Sequence, residues 1–177
     1  MAIDVVSARI LSWVRPAAEP ADWDALYADQ LPRIYNFFRY RVGHGPEAED
    51  LAAATFEKAW RHRGRYRRDL SAFSTWLMVI ARNLAIDHYR RARPHVSLEH
   101  AEQLPAGETP EDIAEKRSDA EKLSRLLAML ADRDRELLAL RYGAGLTNRE
   151  IARVSGLSES NVGTILHRAI AALRARW

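Results

Sequence analysis

The sequence predicts an all-α protein of two small helical domains joined by a flexible acidic linker, with a helix-turn-helix in the second domain. Apolar residues recur at helical spacing in residues 22–91 and again in 109–173, and no segment alternates as a β-strand does. Residues 95–107 between them have no sustained period and contain Pro105 and Gly107. With 177 residues, 47% of them hydrophobic, the chain is long and apolar enough for two small cores.

The segment boundaries follow from these patterns. Arg93-Pro94 ends the first helical half, because proline removes a helical hydrogen bond. We expect an N-terminal extension at 1–21, a first domain at 22–93, a linker at 94–115 and a helix-turn-helix domain at 116–177. The extension is apolar but contains Asp4 and Arg9, so it is too short and too charged to span a bilayer, and an amphipathic helix is expected there.

Composition excludes several classes of protein. The chain contains no cysteine, which rules out a disulfide framework and a thiolate zinc site. Nothing at its N-terminus resembles a signal peptide, so we expect the protein in the cytoplasm and without membrane insertion. We also expect no cofactor and no metal.

Two helices open the first domain. The first is predicted from Asp22 to about Arg41, and its apolar stripe comprises Trp23, Leu26, Tyr27, Leu31, Ile34, Tyr35 and Phe38. The segment from Gly43 to Gly45 ends it. The second helix begins at Pro46, which fits a first helical turn, and runs to about His62. Its buried side is expected to consist of Ala48, Leu51, Ala52, Thr55 and Ala59.

A basic loop and a third helix complete the first domain. The loop is 63–69, and the helix is predicted from Ser71 to about Arg91 with a core stripe of Phe73, Leu77, Ile80 and Leu84. At about 100° per residue, a strip roughly 60° wide beside that stripe holds Trp76, Asn83, Asp87 and Arg90. Since rings stack on bases, amides read base edges and arginines hold phosphates, this strip and the loop with its Tyr66 favour binding of unpaired bases. The alternative is that Trp76 packs into the core and the arginines are merely solvated.

The second domain begins with two further helices. Thr109-Pro110 supplies a cap and a first-turn proline, and the helix that follows has an apolar stripe of Leu123, Leu126, Leu127 and Leu130. A short helix from Asp132 to Tyr142 then leads into the C-terminal motif.

That motif is a predicted helix-turn-helix. Thr147 and Glu150 form a capping box for its first helix, Gly156 suits a left-handed turn, and Ser158 caps its second helix. The second helix has an apolar stripe of Val162, Leu166, Ala169 and Leu173. The side chains off that stripe can enter a major groove, and they are Ser160, Asn161, Thr164, His167 and Arg168. The alternative is an ordinary helical hairpin in a bundle.

Charge is distributed unevenly although the net charge is only +3. Residues 61–93 contain nine arginines and two aspartates, a balance of +7. Residues 94–122 contain three basic and eight acidic residues, a balance of −5, and from residue 123 onward nine arginines face five acids, a balance of +4. Two basic blocks on either side of an acidic stretch indicate one polyanion contacted twice.

Several short motifs resemble those of one protein family. In the first domain they are Asp50-Leu51, Thr55-Phe56, Ala59-Trp60, Phe73-Ser74-Thr75-Trp76-Leu77, Ile80-Ala81-Arg82-Asn83 and Asp87. In the second they are Leu138-Ala139-Leu140-Arg141-Tyr142 and the helix-turn-helix. Over about residues 22–174 the chain resembles an extracytoplasmic-function sigma factor, a small promoter-recognition subunit of bacterial RNA polymerase of the sigma-70 family.

The resemblance implies a function and partners. The first domain, which is similar to sigma region 2, would bind the clamp of core RNA polymerase and the melted minus-ten element of promoter DNA as a single strand. The second, which is similar to region 4, would read the duplex minus-thirty-five element. Such a protein directs promoter recognition, melting and transcription initiation without catalysing a reaction, and its relatives often have an anti-sigma partner.

The resemblance also assigns residues to three surfaces. The polymerase clamp contact would use Asp50, Ala53, Ala54, Glu57, Lys58 and Arg61. The minus-ten surface would use Arg65, Tyr66, Arg67, Arg68, Trp76, Arg82, Asn83, Asp87, Arg90 and Arg91, with the loop from Arg63 to Ser71 shaping a pocket for a flipped base. The minus-thirty-five surface would use Arg149, Ser158, Ser160, Asn161, Thr164, His167 and Arg168.

The chain departs from the family pattern at five of these or neighbouring positions. Ala53 and Ala54 stand where relatives commonly have a glutamine and an acid, which removes polar groups from the clamp contact. Gly163, Ile165 and Ala171 stand where many relatives carry basic residues, so fewer phosphate contacts are expected. A glycine within a helix costs about 1 kcal/mol, which suggests a close backbone approach there, either to DNA or to the preceding helix.

Two other functions compete with this interpretation. A stand-alone dimeric helix-turn-helix regulator would use the same motif on a palindromic site, but it gives no reason for the basic first domain. An enzyme would have to use the acids Glu47, Glu49 and Asp50 or the scattered histidines, namely His44, His62, His88, His95, His100 and His167. The acids lie at a predicted helix N-terminus, where the dipole stabilises them, and no histidine pair has ligand spacing.

Overall fold

The computed structural model describes residues 23–43, 45–91 and 110–177. The predicted N-terminal extension, His44 and residues 92–109 of the predicted linker lie outside the described residues. The described residues form seven α-helices and no strand, which confirms the all-α prediction. The helices are α1 (Trp23–Val42), α2 (Pro46–Arg61), α3 (Phe73–Arg91), α4 (Pro110–Ala128), α5 (Asp132–Leu138), α6 (Asn148–Ser155) and α7 (Glu159–Arg174).

The first domain is a bundle of α1, α2 and α3 around an aromatic and aliphatic core. Ile34, Phe38 and Leu77 are fully buried, as the predicted stripes require. Tyr27 is 41% exposed, so its assignment to the core is wrong, and Phe37, which lies outside the predicted stripe, is fully buried. The physical reason for the second difference is that the second domain covers that side of α1, which the periodicity of one helix cannot reveal.

Glycine and proline set the connection between α1 and α2. Gly43 and Gly45 have φ of 103° and 123°, a region that favours glycine, and Pro46 occupies the first turn of α2. The predicted buried side of α2 is largely confirmed, since Ala48, Thr55 and other members are buried and only Leu51 is partly buried. This connection places α2 beside α1, and the side of α2 that faces away from the core remains exposed.

The second domain begins with α4, and an arginine closes that helix. Arg135 Nε donates to Leu127 O at 2.9 Å, and its Nη2 donates to Ala128 O at 2.8 Å. A cation that bonds the last carbonyls of a helix also faces the negative end of the dipole. After α5, the chain continues through a π-helical turn at Ala139–Gly143.

The predicted helix-turn-helix is confirmed by α6 and α7. The Thr147 hydroxyl accepts from Glu150 N, and Thr147 N donates to Glu150 Oε2 at 2.8 Å, which completes the capping box. Gly156 has φ of 75°, and the Ser158 hydroxyl accepts from Asn161 N at 3.2 Å. Both helix starts and the turn are therefore satisfied by groups within the motif.

The two domains pack directly on each other. The π-helical turn lies on α1, α5 lies on α1, and α3 packs against α6, so one continuous hydrophobic core contains residues of both domains. The Arg33 side chain of α1 donates to Ala144 O at 2.9 Å. In the described part of the chain, no helix is long and apolar enough to cross a membrane.

Candidate nucleic-acid interface

An aromatic cluster supports the basic loop between α2 and α3. The ring of Tyr66 lies 5.5 Å from Phe73 and 5.2 Å from Trp76, and Phe73 lies 5.6 Å from Trp76. Tyr66 is only 3% exposed, and its hydroxyl donates to Ser71 O at 3.2 Å. In this structure the ring of Tyr66 holds the loop, and its contact with an unpaired base stays a prediction. Trp76 remains half-buried and offers the accessible aromatic surface of the cluster.

The outer surface of this loop is basic and has one apolar side chain. Arg65 and Arg68 are exposed, while Arg67 forms a two-point ion pair with Asp69 at 2.9 and 2.7 Å. That hydrogen-bonded pair raises the pKa of Arg67 and lowers the pKa of Asp69. Leu70 is 74% exposed at the tip and was not among the predicted site residues, although an apolar residue within a basic loop is a visible signal. Apolar side chains next to phosphate-binding groups can act as wedges between bases.

The α3 side chains predicted for the minus-ten surface fall into two groups. Asn83, Arg90 and Arg91 are exposed, and Asp87 is half-buried. Arg82 instead points to the second domain, where its Nε lies 2.6 Å from Glu136 Oε1, and the two side chains are 24% and 9% exposed. The structure thus brings the predicted strip together but leaves Arg82 engaged by a carboxylate of the other domain.

The outer side of α7 is open to solvent along its length. Ser160, Asn161, Thr164, His167 and Arg168 are all exposed, as predicted for a recognition helix. Each basic member of this surface has a carboxylate partner: Arg149 lies 3.7 Å from Glu159, and Arg168 lies 3.1 Å from Asp134. These pairs are solvated on one side, so a phosphate can compete for the guanidinium groups.

Gly163 has space around it. A Cβ at this position would meet only Asn148 Nδ2 at 3.6 Å, which is ordinary van der Waals contact. Close approach to the preceding helix therefore does not explain this glycine. The approach of the helix backbone to DNA at Gly163 stays a prediction.

The predicted clamp contact lies on the side of α2 that faces away from the core of the first domain. Asp50, Ala53, Glu57 and Arg61 are exposed, and Ala54 and Lys58 are half-buried. Arg61 pairs with Glu57 one turn away. A shallow groove between α1 and α2 adjoins Ala53 and is lined by Tyr27, Leu31, Pro32, Tyr35, Glu49, Ala52 and Ala53. Because positions 53 and 54 are alanines, this surface is more apolar than it would be with polar residues there.

The structure offers little support for enzymatic chemistry. Glu47, one of the candidate acids, lies 3.1 Å from His88 Nε2, and His62 Nδ1 lies 2.8 Å from Lys58 O. His167 is exposed on α7. Within the described ranges, no group of three histidine, aspartate or glutamate side chains could hold a metal ion.

Both helical domains match known protein families. Residues 26–95 match the family Sigma-70 region 2, and residues 120–173 match Sigma-70, region 4. Over 178 residues the chain is 36% identical to the ECF RNA polymerase sigma factor BldN of Streptomyces coelicolor. This alignment covers 97% of the present chain and 67% of BldN. Over 148 residues it is 34% identical to the RNA polymerase sigma factor YlaC of Bacillus subtilis, and this alignment covers 81% of the present chain and 85% of YlaC.

A solved structure shares the fold. The sigma factor RpoE of Bartonella quintana, solved in complex with the anti-sigma factor NepR, superposes with a TM-score of 0.69 at 22% identity, covering 88% of this chain and 96% of that one. The two sigma-70 regions occur here in order, one in each helical domain. The protein belongs to the extracytoplasmic-function family of RNA polymerase sigma factors and acts in transcription initiation.

Proposed function

We propose that this sigma factor divides promoter recognition between its two domains as follows. The domain at 22–93 binds the clamp of core polymerase and the melted minus-ten strand, and the domain at 116–177 reads the minus-thirty-five duplex. The family matches at 26–95 and 120–173 support this division. The proposal also treats 1–21 and 94–115 as the extension and the linker.

The observation that carries this proposal is the presence of two exposed arginine-bearing surfaces of different geometry in one chain. The surface of α7 is a single convex helix with polar side chains, which fits a major groove. The surface of the first domain is an irregular arginine loop beside the ring of Trp76, which suits single-stranded bases. A duplex-only regulator has no use for the second kind of surface.

The proposed minus-ten contacts follow from exposure. Arg65, Arg68, Arg90 and Arg91 are placed to hold phosphates, and Asn83 is placed to read a base edge. Trp76 supplies the stacking surface, and Tyr66 acts behind it by holding the loop. Capture of unpaired bases by these groups offsets the few kcal/mol that base flipping costs, so no ATP hydrolysis is needed and the protein itself catalyses no reaction.

The proposed clamp contact on α2 is largely apolar in this protein. Ala53 is exposed next to the groove that contains Tyr27 and Tyr35, where burial of apolar surface can replace polar contacts. Glu57 and Arg61 contribute a charged edge. Binding of core polymerase should accordingly be less sensitive to salt than binding of DNA.

Localisation and regulation follow from the same role. We propose that the protein works in the cytoplasm, where polymerase and chromosome are found. An anti-sigma protein is a further proposed partner, as NepR is for RpoE of Bartonella quintana. Purification of the tagged chain from its native host under low salt, followed by identification of a stoichiometric partner, tests this; recovery of polymerase subunits alone would contradict it.

The decisive experiment mixes the purified protein with sigma-free core polymerase and genomic promoter fragments. We expect run-off transcripts with defined starts that depend on the added protein. If no transcripts form and the protein binds duplex DNA as a stable dimer in light scattering, the stand-alone regulator is the correct function.

A further inference from the structure

A cavity of about 350 Å³ lies where the end of α1 meets α4. Ligand sites generally measure about 300 to 1,000 Å³, so this volume is large enough for a small organic molecule. One wall is the last part of α1 with Gly43, and the other consists of α4, Arg135 and Tyr142. None of the residues proposed for the clamp, the minus-ten or the minus-thirty-five contact lines it.

Close backbone packing holds the two walls together. A Cβ at Gly143 would lie 2.7 Å from Asn36 O and 3.0 Å from Phe37 Cα, so only a glycine allows this approach to α1. On the other wall, Arg135 Nε donates to Leu127 O at 2.9 Å and fixes the end of α4. These contacts give the cavity a defined shape.

The lining combines positive charge with apolar surface. In the described part of the chain it contains three cations, Arg39, Arg41 and Arg135, and no carboxylate. Leu123 and Leu127 of α4 supply apolar surface on the second wall. Cations gathered in a partly enclosed site attract anions from solution. The lining therefore favours an anion that carries an apolar or aromatic group.

Arg41 is the most unusual member of this lining. It is only 1% exposed, and its guanidinium lies 4.3 Å from the ring centre of Tyr89. Its Nη1 lies 2.7 Å from Asp132 Oδ1, although not in hydrogen-bond alignment, and its buried Nε has no hydrogen-bond partner among the described residues. A buried donor without an acceptor costs free energy. An acceptor that entered the cavity would remove this cost.

Folding gives no reason for an arginine at this position. Asp132 is 68% exposed, and an ion pair with a solvated partner contributes little to stability. Loss of one member of a buried ion pair is harmful because it leaves the other charge buried, but Asp132 would remain in water. The buried guanidinium of Arg41 is therefore better explained by a ligand than by the stability of the fold.

We propose that this cavity binds a small organic phosphate of the size of a nucleoside monophosphate, and that Arg41 is its main phosphate-binding group. A guanidinium matches the geometry and charge of a phosphate. Tyr40 and Tyr142 supply aromatic rings for a base, and the leucines of α4 supply apolar contact. The inference goes beyond promoter recognition and does not rest on it.

The first test is calorimetric titration of the full chain with adenosine 5′-monophosphate (AMP), inorganic phosphate and adenosine. We expect saturable binding of one AMP per chain, tighter than binding of either fragment, because both parts of the lining are then used. Since AMP would contact both domains, it should also raise the melting temperature in proportion to its saturation. No saturable binding of AMP at millimolar concentration, or equal binding of AMP and either fragment, would overturn the proposal.

The second test is Arg41→Met, with Arg125→Met as its matched control. Both variants lose one guanidinium, but Arg125 is exposed on α4 and does not line the cavity. We expect Arg41→Met to bind AMP about 10- to 100-fold more weakly, as loss of a charged hydrogen bond predicts, and Arg125→Met to bind it nearly as the wild type does. Equal affinities of the two variants would refute the role of Arg41.

A third variant tests the cavity even if Arg41→Met does not fold. Ser124→Trp fills the space beside α4 and keeps all three arginines, whereas Ser118→Trp adds the same ring at an exposed position of the same helix. We expect AMP binding to be lost only in Ser124→Trp, with helical circular dichroism kept in both. Binding that persists in Ser124→Trp would place AMP elsewhere and refute this site.

A DNA phosphate is the competing occupant of the cavity. Anisotropy of a fluorescein-labelled single-stranded DNA pool of mixed sequence distinguishes it from a free nucleotide. We expect Arg41→Met and Arg125→Met to affect DNA binding alike. If AMP does not bind and Arg41→Met weakens DNA binding more than Arg125→Met does, the cavity holds a DNA phosphate and the nucleotide site is refuted.

Discussion

The two domains present their DNA-facing side chains in opposite ways. In the second domain, Asn161, Thr164, His167 and Arg168 lie on one continuous helix and are all exposed. In the first domain, the corresponding groups are divided between a loop and a helix, and Arg82 is covered by the second domain. The exposed side of α7 belongs to a single helix, whereas the proposed single-strand surface requires a loop and a helix to be brought together.

This difference shows where local sequence patterns suffice. The helix-turn-helix is held by a capping box, a left-handed glycine and a serine cap, all within twelve residues of one another. The proposed minus-ten surface depends on Tyr66 supporting a loop and on the position of a different domain.

The largest effect is expected for Trp76→Ala. Base–aromatic stacking is worth about 1–3 kcal/mol per base, so open-complex formation should fall by up to about 100-fold while core binding is kept. Permanganate reactivity of the promoter and pull-down of core polymerase measure the two steps. Trp177→Ala, which removes a tryptophan that is 55% exposed in the second domain, is the control.

An equal loss of core binding would show that Trp76 is structural, because its ring also packs on Tyr66 and Phe73. If Trp177→Ala reduced open-complex formation as much as Trp76→Ala does, promoter melting could not be assigned to the first domain alone.

Salt should separate the two surfaces next. Four exposed arginines of the proposed minus-ten surface lie outside the Arg67–Asp69 pair, namely Arg65, Arg68, Arg90 and Arg91. For single strands the slope of log affinity against log salt concentration is about −0.7 per phosphate contact, so affinity should fall about 50-fold between 50 and 200 mM salt. The second domain offers Arg149 and Arg168, and at about −0.9 per duplex contact its affinity should fall only about tenfold. Fluorescence anisotropy with single-stranded and duplex promoter DNA measures both slopes. Equal slopes would contradict the proposed division.

Arg168→Ala should have a smaller and selective effect. Loss of one arginine contact weakens duplex binding by about fivefold, at the low end of the usual range because Asp134 already competes for this guanidinium. Single-strand binding should not change. Arg174→Ala, at the far end of α7, controls for net charge. Equal effects of the two variants in a duplex competition assay would show that Arg168 makes no specific contact.

The smallest expected effect concerns the capping box. Hydrogen bonds from the Thr147 backbone and hydroxyl hold the pKa of Glu150 below its usual value, and Arg33 of the first domain and Arg153 add to this. A carboxylate whose pKa is lower in the folded state than in the unfolded state stabilises the fold at pH values above the ordinary glutamate pKa. That contribution is lost as the pH falls below about 4. Thr147→Ala should cost about 1 kcal/mol of unfolding free energy at neutral pH.

Urea unfolding between neutral and acid pH measures this dependence. Glu150→Gln is the control, because a glutamine can complete a capping box but does not titrate. We expect the acid loss of stability to be smaller in Glu150→Gln than in the wild type. An identical acid profile would show that the carboxylate of Glu150 does not stabilise the fold.

Most of the helices could be predicted from the sequence, and the exceptions share one cause. Their ends are marked by residues such as Pro46 and Gly156, whose effects are local. The burial of Phe37 and Arg41 and the exposure of Tyr27 could not be predicted, because neighbouring elements decide them. The burial of Tyr66 could not be predicted for the same reason, since Ser71, Phe73 and Trp76 are brought around its side chain by the fold.

The sequence by itself determined the all-α class, the helix-turn-helix and the family, because periodicity, caps and short motifs act over one or two helical turns. Only the tertiary structure decided that Gly143 lies against the backbone of α1 and that Arg82 meets Glu136, residues 54 positions apart. Contacts at such separation depend on how two folded domains meet. Pairing, burial and access to DNA are therefore properties of the assembled chain, although every group that takes part is visible in its sequence.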